Sequence, residues 1–173
     1  QKLARLDPPG VAKVLAAAAT PRGRPYFVMD FIDGKPITEH CDAERCTIDE
    51  RLGLFLQVCA PIEHAHQRGV IHRDIKPSNV LVVEADDGPS VRVIDFGIAH
   101  ALDDDGHDRS RMTRAGQFVG TPAYMSPEQR AGDPTAVDTR SDVYALGMLL
   151  YELLTGERPF ASGHDTDITI TPS

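Results

Sequence analysis

Several residue types are scarce in this chain, and their scarcity excludes some classes of protein. Its 173 residues include only three cysteines, Cys41, Cys46 and Cys59. An odd number of cysteines without a close pair is typical of reduced thiols rather than of a disulfide framework. Basic residues are outnumbered by acidic ones, 18 against 26, which gives a net charge of −8. That balance argues against a protein that binds nucleic acid or anionic membranes.

Long apolar runs are also missing. The most apolar stretch, 143–154, is interrupted by Gly147 and Glu152 and is too short and too polar for a membrane span. Hydrophobic residues nevertheless make up 41% of the chain, so we expect a folded domain, located in the cytoplasm and without a membrane segment. The chain begins with Gln1 rather than Met, and we expect it to be a fragment whose upstream part is missing.

The clearest helix signal lies in the middle of the chain. A helix is predicted over 48–68, with Thr47 as its N-cap, Glu50 completing a capping box and Gly69 ending it. A second helix is predicted over 141–155. The apolar residues that recur at helical spacing in the first helix are Leu52, Phe55, Leu56, Cys59, Ile62 and Ala65.

Strands are predicted on both sides of the first helix. Apolar and β-branched residues predict a hairpin from strands over 11–19 and 26–29, and two further strands at 80–83 and 91–94. The stretch 97–127 has no strong periodicity. A loop of that length within a compact domain is usually functional.

Polar residues on either side of the strand at 80–83 suit phosphoryl transfer. The carboxylate of Asp74 can orient an attacking hydroxyl and accept its proton, and the ammonium of Lys76 can neutralise the transferring phosphoryl. Asn79, the only asparagine in the chain, has an amide oxygen that can bind Mg²⁺. Asp95 follows the strand at 91–94 and offers a second oxygen ligand.

These segments resemble a known family. The sequence H-R-D-I-K-P-S-N at 72–79, followed by D-F-G at 95–97, is similar to the catalytic loop and metal motif of eukaryotic-type protein kinases. G-T-P-A-Y-M-S-P-E at 120–128 resembles the end of their activation segment, although Ser126 replaces the usual alanine. The segment 142–147 resembles the start of the helix that supports the catalytic loop. Four motifs in this order are far more specific than any one of them.

The subtype also follows from resemblance. Lys76, two residues after Asp74, matches the serine/threonine pattern, and the stretches 25–34 and 75–82 are similar to bacterial Hanks-type kinases. The resemblance implies ATP-dependent phosphorylation of Ser or Thr on protein substrates, with ATP and Mg²⁺ as cofactors. It also implies a possible homodimer for autophosphorylation. Membrane anchoring of the parent protein would depend on regions outside this chain.

The implied fold is α+β, a truncated version of the two-lobed kinase architecture. Residues 1–33 would be the remnant of the small lobe, with the end of its αC helix, two strands and the hinge. Residues 34–173 would be the large lobe, truncated after the helix named αF. The resemblance covers roughly residues 1–160.

The resemblance also assigns roles to single residues. The implied catalytic residues are Asp74, Lys76, Asn79 and Thr121. The implied ATP-binding residues are the gatekeeper Met29, the hinge residues Asp30 and Ile32, the adenine-floor residue Leu81, and Asp95. Asn79 and Asp95 would hold magnesium. The implied regulatory residues are Arg73 and the phosphorylation candidates Ser110 and Thr113. The implied structural residues are His72, Phe96, Asp142 and Glu128, the last of which normally pairs with a downstream arginine.

Two parts of the usual ATP clamp are not found in this sequence. It contains no G-x-G-x-x-G, and Lys13 is interpreted as a solvated strand lysine rather than the lysine that binds ATP. We therefore expect these 173 residues to be inactive on their own. The alternatives are a pseudokinase or scaffold, which the intact Asp74, Lys76, Asn79 and Asp95 argue against, and a small-molecule kinase, which the segment 120–128 argues against.

Overall fold

The fold is described from a computed structural model, which covers residues 10–23, 25–96, 122–132 and 135–160. Three residues with predicted roles, Ser110, Thr113 and Thr121, lie outside these ranges, as does the predicted end of a helix near residue 6. Those four expectations therefore stay predictions.

The first described element is the predicted hairpin. Strand β1 (Val14–Ala19) pairs antiparallel with β2 (Pro25–Met29), and Ala17 lies opposite Phe27. The residues before β1 belong to a different sheet. Val11 bridges to Val93, and the Val93 amide donates to the carbonyl oxygen of Gly10 at 2.7 Å. The segment just before the hairpin is thus hydrogen-bonded to Val93, two residues before Asp95.

A three-stranded antiparallel sheet follows, in the order β3–β4–β5. Its strands are β3 (Lys35–Pro36), β4 (Val80–Ala85) and β5 (Gly88–Val93). Strands β4 and β5 match the two predicted ones, and Val80 lies opposite Val93. This register places the residues just before β4 beside those just after β5, where the motif residues lie.

Helix α1 (Ile37–Ala43) was not predicted from the sequence. It has only seven residues, too few for a periodic pattern to be recognised. It ends in a Schellman motif, in which the amide of Cys46 donates to the carbonyl oxygen of Cys41 at 2.9 Å. Arg45 adopts the left-handed conformation that this ending requires, with φ of 51°.

Helix α2 (Ile48–His66) confirms the predicted capping box. The amide of Thr47 donates to the Glu50 carboxylate at 2.7 Å, and the amide of Glu50 donates to Thr47 Oγ1 at 3.3 Å. The periodic apolar residues did not all mark the buried face, because Leu52 is 36% exposed and Leu56 is 67% exposed. The buried residues of α2 are Leu54, Val58, Pro61, Ile62 and Ala65.

The last two helices are α3 (Pro127–Ala131) and α4 (Thr139–Thr155). Helix α4 begins two residues before the predicted start, since Asp138 caps it by accepting from the Arg140 amide at 2.8 Å. It ends at Gly156, which has a left-handed φ of 74°. Within the described residues, no helix combines the length and apolarity needed to cross a membrane.

The core is formed between α2, α4 and the β4–β5 pair. Its fully or nearly fully buried members include Val58 and Ile62 of α2, Leu149 and Leu153 of α4, and Val80 and Val93 of the sheet. The connection from α2 to β4 therefore runs along the edge of this core. That connection contains three of the four predicted catalytic residues, Asp74, Lys76 and Asn79.

Candidate active site

The segment 72–79 is held in place by a single buried carboxylate. Asp142, near the start of α4, is only 1% exposed. Its Oδ2 accepts from the amide of His72 at 2.8 Å, and its Oδ1 accepts from the amide of Arg73 at 2.8 Å. A buried carboxylate needs such donors to offset its lost hydration. The expected structural role of Asp142 therefore has a direct geometric basis.

A third donor to Asp142 was missed by the sequence analysis. His66 Nε2, in the last turn of α2, donates to Asp142 Oδ2 at 2.7 Å. His66 and Asp142 are separated by 76 positions, so no local pattern could have indicated the contact. The result is a buried junction that joins α2, the segment 72–79 and α4.

His72 packs as a neutral ring. Its Nε2 donates to the carbonyl oxygen of Ile94 at 3.0 Å, and its Nδ1 accepts from the amide of Asp74 at 3.3 Å. Burial lowers the pKa of His72, although the nearby Asp142 favours the charged form. The ring lies 4.5 Å from that of Phe96, centroid to centroid. Both side chains are buried and in contact, and their predicted structural roles stay predictions.

Two of the candidate catalytic side chains of this segment, Lys76 and Asn79, bind the carboxylate of the third, Asp74. Lys76 Nζ donates to Asp74 Oδ2 at 2.8 Å, and Asn79 Nδ2 donates to the same oxygen at 3.0 Å. Asn79 Nδ2 also donates to the Asp74 carbonyl oxygen at 2.8 Å. Asp74 itself is exposed to solvent. An oriented, accessible carboxylate of this kind can act as a general base.

Asp95 is brought next to Asn79 by the pairing of β4 with β5. The amide of Ile94 donates to the carbonyl oxygen of Asn79 at 2.9 Å. Asp95 is exposed and has a φ of 61°, a conformation that is uncommon for residues other than glycine. Two motif residues, Arg73 and Asp95, thus have left-handed backbones at this site.

Asn79 and Asp95 have the donor chemistry that Mg²⁺ prefers. The amide nitrogen of Asn79 is directed towards Asp74, so its oxygen Oδ1 is the atom that could act as a ligand. Among the described residues, no group of three or more His, Cys, Asp or Glu side chains could form a metal cage. Magnesium held by one or two protein oxygens and by substrate phosphates needs no such cage. The residues therefore fit the expected ion.

The predicted ATP-binding residues lie at the junction of the hairpin and the sheet. Met29 ends β2, and Asp30 follows it, its amide donating to the Lys13 carbonyl oxygen at 3.0 Å. The chain then comes close to the edge of β4 as it enters β3, since a Cβ placed on Gly34 would lie 3.2 Å from Leu81 Cβ. Leu81 therefore lies close to the chain that follows the predicted hinge residues. Ile32 lies between Asp30 and Gly34, and its side chain is half-buried.

Glu128 is bound to α4 rather than to an arginine in the described part of the chain. Its Oε1 accepts from Ser141 Oγ at 2.5 Å. Partial burial raises the pKa of Glu128, but its hydrogen bonds, including that from Ser141, lower the pKa by more. The net effect is a lowered pKa. The contact anchors α3 to the start of α4.

An open cleft of about 380 Å³ lies beside Lys76. Its walls come from the segment 72–79, α1, α4 and the turn that contains Tyr124. The charged residues that line it are Glu39, Lys76, Glu152 and Arg158. The Tyr124 hydroxyl donates to the Glu152 carboxylate across one side of the cleft. A groove with both signs of charge next to Asp74 could receive an extended peptide.

Comparison with known proteins agrees with this geometry. The family model described as the protein kinase domain matches residues 1–171. The serine/threonine-protein kinase PknB of Mycobacterium tuberculosis is 40% identical over 164 residues, which cover 92% of this chain and 25% of PknB. Pkn1 of Myxococcus xanthus is 41% identical over 151 residues, covering 87% of this chain and 21% of Pkn1. The chain thus spans about a quarter of the length of the curated relatives it matches.

Similarity to a solved structure confirms the fold. The crystal structure of the PknI kinase domain of Mycobacterium tuberculosis superposes with a TM-score of 0.68 at 30% identity. The superposition covers 91% of this chain and 55% of the PknI chain. The expectation of a partial two-lobed kinase architecture is therefore confirmed. The exact boundary between the two lobes, near residue 33, stays a prediction.

Proposed function

The chain belongs to the protein kinase domain family, of the bacterial Hanks type, and from that premise we propose that the protein phosphorylates serine or threonine residues of other proteins with ATP. The observation that supports this best is the arrangement around Asp74. Its carboxylate is exposed and is oriented by Lys76 and Asn79.

In this proposal Asp74 orients the acceptor hydroxyl and takes its proton. The hydroxyl oxygen forms a bond to the γ-phosphorus as the bond to the β-phosphate oxygen breaks, and ADP leaves. Lys76 is close enough to share its charge between Asp74 and the transferring phosphoryl. Asn79 holds the loop around Asp74 through its amide nitrogen. Thr121 is proposed to help seat the acceptor hydroxyl.

Asn79 and Asp95 would hold Mg²⁺, which neutralises phosphate charge when it is bound. The adenine ring is proposed to lie between the hinge residues Asp30 and Ile32 and the side chain of Leu81, with Met29 behind it. The close approach of Gly34 to Leu81 supports this placement, because it brings the chain that follows Ile32 next to β4.

Protein substrates are proposed to dock along the cleft beside Lys76, with their acceptor residue directed towards Asp74. Arg73 is proposed to pair with a phosphate on Ser110 or Thr113, added by a second copy of the enzyme in a transient homodimer. We place this activity in the cytoplasm. The opposed charges of Glu152 and Arg158 on the cleft wall support a peptide rather than a nucleic acid as the ligand.

The proposal is tested with the full-length protein, ATP labelled at the γ-phosphate, Mg²⁺ and a generic serine-rich and threonine-rich protein. We expect label on serine and threonine that disappears when Mg²⁺ is chelated. Asp74→Asn should lower the rate by at least about 100-fold, since general-base catalysis contributes on that order. Asp86→Asn, an exposed carboxylate in the β4–β5 turn, is the matched control and should retain activity.

Two outcomes would favour the other functions. Binding of ATP without transfer to any protein would support a scaffold. Transfer to a small molecule but not to protein would support a small-molecule kinase. We also propose that the 173 residues alone turn over little ATP, because they contain no G-x-G-x-x-G segment. Measurable Mg²⁺-dependent turnover by the isolated chain, abolished by Asp74→Asn, would contradict this.

A further inference from the structure

Helix α3 begins with a capping box whose acidic member is replaced by glutamine. Ser126 is the N-cap, and its hydroxyl accepts from the Gln129 amide at 3.4 Å. In return, Gln129 Oε1 accepts from the Ser126 amide at 3.0 Å and from its hydroxyl at 3.2 Å. Ser126 is fully buried, so these bonds are shielded from water. Local capping needs only the oxygen of the Gln129 side chain.

The nitrogen of the same side chain makes a contact outside the helix. Gln129 Nε2 donates to the carbonyl oxygen of Arg73 at 2.7 Å, across 56 positions of sequence. The amide orientation is unambiguous, because the backbone N–H of Ser126 can only donate and the carbonyl of Arg73 can only accept. A glutamate at position 129 could complete the cap but could not make this second bond.

The Arg73 carbonyl belongs to the peptide unit that joins Arg73 to Asp74. The N–H of the same unit donates to His72 Nδ1 at 3.3 Å. The peptide group between Arg73 and Asp74 is therefore hydrogen-bonded through both its C=O and its N–H. The adjacent Arg73 N–H is held by Asp142, and Arg73 has a left-handed φ of 68°. Such a conformation persists only where surrounding contacts determine it.

We propose that Gln129 is a positioning residue for the base Asp74, which it fixes from the substrate-docking side through the Arg73–Asp74 peptide. This inference rests on the proposed function and adds a residue to it. The bond also joins α3, which begins three residues after Tyr124 of the cleft wall, to the segment 72–79. A change in the placement of α3 is thereby transmitted to the base.

A second capping box in the same chain provides the matched control. Thr47 and Glu50 make the same reciprocal bonds at the start of α2, where both residues are exposed. The hydrogen bonds of the Glu50 side chain stay within that box. Glu50→Met and Gln129→Met therefore remove the same type of cap, but only the second removes a bond to the catalytic segment.

The experiment uses four full-length proteins: wild type, Gln129→Met, Gln129→Glu and Glu50→Met. We expect both Gln129 variants to lower kcat by about 10-fold to 100-fold with little change in KM for ATP, because small misplacement of a catalytic group has effects of that size. Glu50→Met should keep the wild-type kcat. If Gln129 were only a helix cap, Gln129→Glu would behave like wild type, and that result would overturn the proposal.

A second measurement does not depend on activity. Hydrogen exchange of the Asp74 amide should accelerate in both Gln129 variants, while the amides of Val58 and Ile62 in the core of α2 stay protected. Protection in that core also shows that each variant is folded. If the wild-type protein transfers no phosphate, the proposed function fails. The hydrogen-exchange rate of the Asp74 amide still tests whether Gln129 positions Asp74. Unchanged exchange at Asp74 in both variants would overturn the inference.

Discussion

The β1–β2 hairpin and the segment 72–79 are stabilised in different ways, although both contribute predicted ligand contacts. The hairpin is held by the register of neighbouring strands, and most of its β1 side chains are exposed. The segment 72–79 has no regular ladder. Its contacts instead come from residues about 70 positions away, Asp142 above all. One region depends on local pairing and the other on distant polar groups.

This difference is clearest at Arg73, within the segment 72–79. Arg73 has a left-handed φ, and its N–H and C=O are bound by Asp142 and Gln129. The hairpin is joined to the three-stranded sheet by backbone bonds just before β1, such as that from the Ala12 amide to the Val93 carbonyl oxygen at 3.0 Å. A catalytic carboxylate needs a fixed position, so its support must be specific and directional. The following substitutions test how far this contrast holds.

The largest combined effect on stability and activity is expected from Asp142→Asn. The asparagine amide keeps one oxygen, but its NH₂ group replaces the other oxygen and cannot accept a hydrogen bond. Depending on the orientation of the amide, either His66 and His72 or Arg73 lose their acceptor. We expect a loss of about 3 kcal/mol in the free energy of unfolding, since buried hydrogen bonds to a charged group are disrupted. Urea denaturation measures the change.

Activity should fall with it by at least about 100-fold, because the backbone of the base is no longer fixed. The control is Asp138→Asn, which changes an exposed carboxylate at the cap of the same helix and should lose no more than about 1 kcal/mol. Equal losses in the two variants would contradict the special role of the buried carboxylate.

The second effect concerns Gly34, between the hairpin and the sheet. A Cβ at this position would lie 2.9 Å from the carbonyl oxygen of Val82, a backbone atom that cannot rotate away. Gly34→Ala should therefore destabilise the protein by about 1–3 kcal/mol through overpacking. It should also weaken ATP binding, measured by titration calorimetry, because the hinge would move away from Leu81.

Gly53→Ala is the matched control for this substitution. Gly53 lies within α2, and a Cβ there meets nothing within 4 Å. Alanine should stabilise the helix by about 0.5–1 kcal/mol. If Gly34→Ala also stabilises the protein, Gly34 does not lie as close to the Val82 carbonyl oxygen as described.

The third effect is a pH dependence that arises from His72. Its folded-state pKa is lowered, chiefly by burial, so the unfolded chain binds a proton that the folded chain does not. The free energy of unfolding should therefore fall as pH decreases below about 6.5, by at most about 1.4 kcal/mol per pH unit for one proton. Above that pH both states are neutral and the effect vanishes.

His72→Phe should reduce this dependence while it preserves the ring contact with Phe96. The comparison is made by urea denaturation at pH 7.5 and pH 5.5. Asp142 and Asp74 are the charged groups that act on this ring, and His66 is bound to Asp142; all three are present in both proteins. An identical pH dependence in wild type and variant would show that His72 is not the group responsible.

The candidate site was predicted from the sequence, but the distant residues that support it were not. Asp74, Lys76, Asn79 and Asp95 were identified because their types and spacing are specific, and the structure brings them together. Thr47 likewise marked the start of α2. These features depend on short segments, where local sequence carries the information.

The missed features depend on distant parts of the chain. His66 and Gln129 contact residues 76 and 56 positions away, and no local pattern contains such pairings. Leu52 and Leu56 followed helical periodicity but are exposed, since a helix with apolar residues on several sides does not reveal which side packs. Helix α1 was too short to show any pattern.

The smallest effect is expected from Phe31→Ser, just after the hairpin. Phe31 is 89% exposed, so the removal of its ring forfeits almost no buried area. The free energy of unfolding should change by less than about 0.5 kcal/mol, as for most surface substitutions. The matched substitution is Phe96→Ser beside the catalytic segment, where the ring is 3% exposed and packs on His72. That change should destabilise the protein by about 3–5 kcal/mol. Similar losses at the two positions would mean that the end of the hairpin is as well packed as the catalytic segment, and the contrast between the two regions would then be wrong.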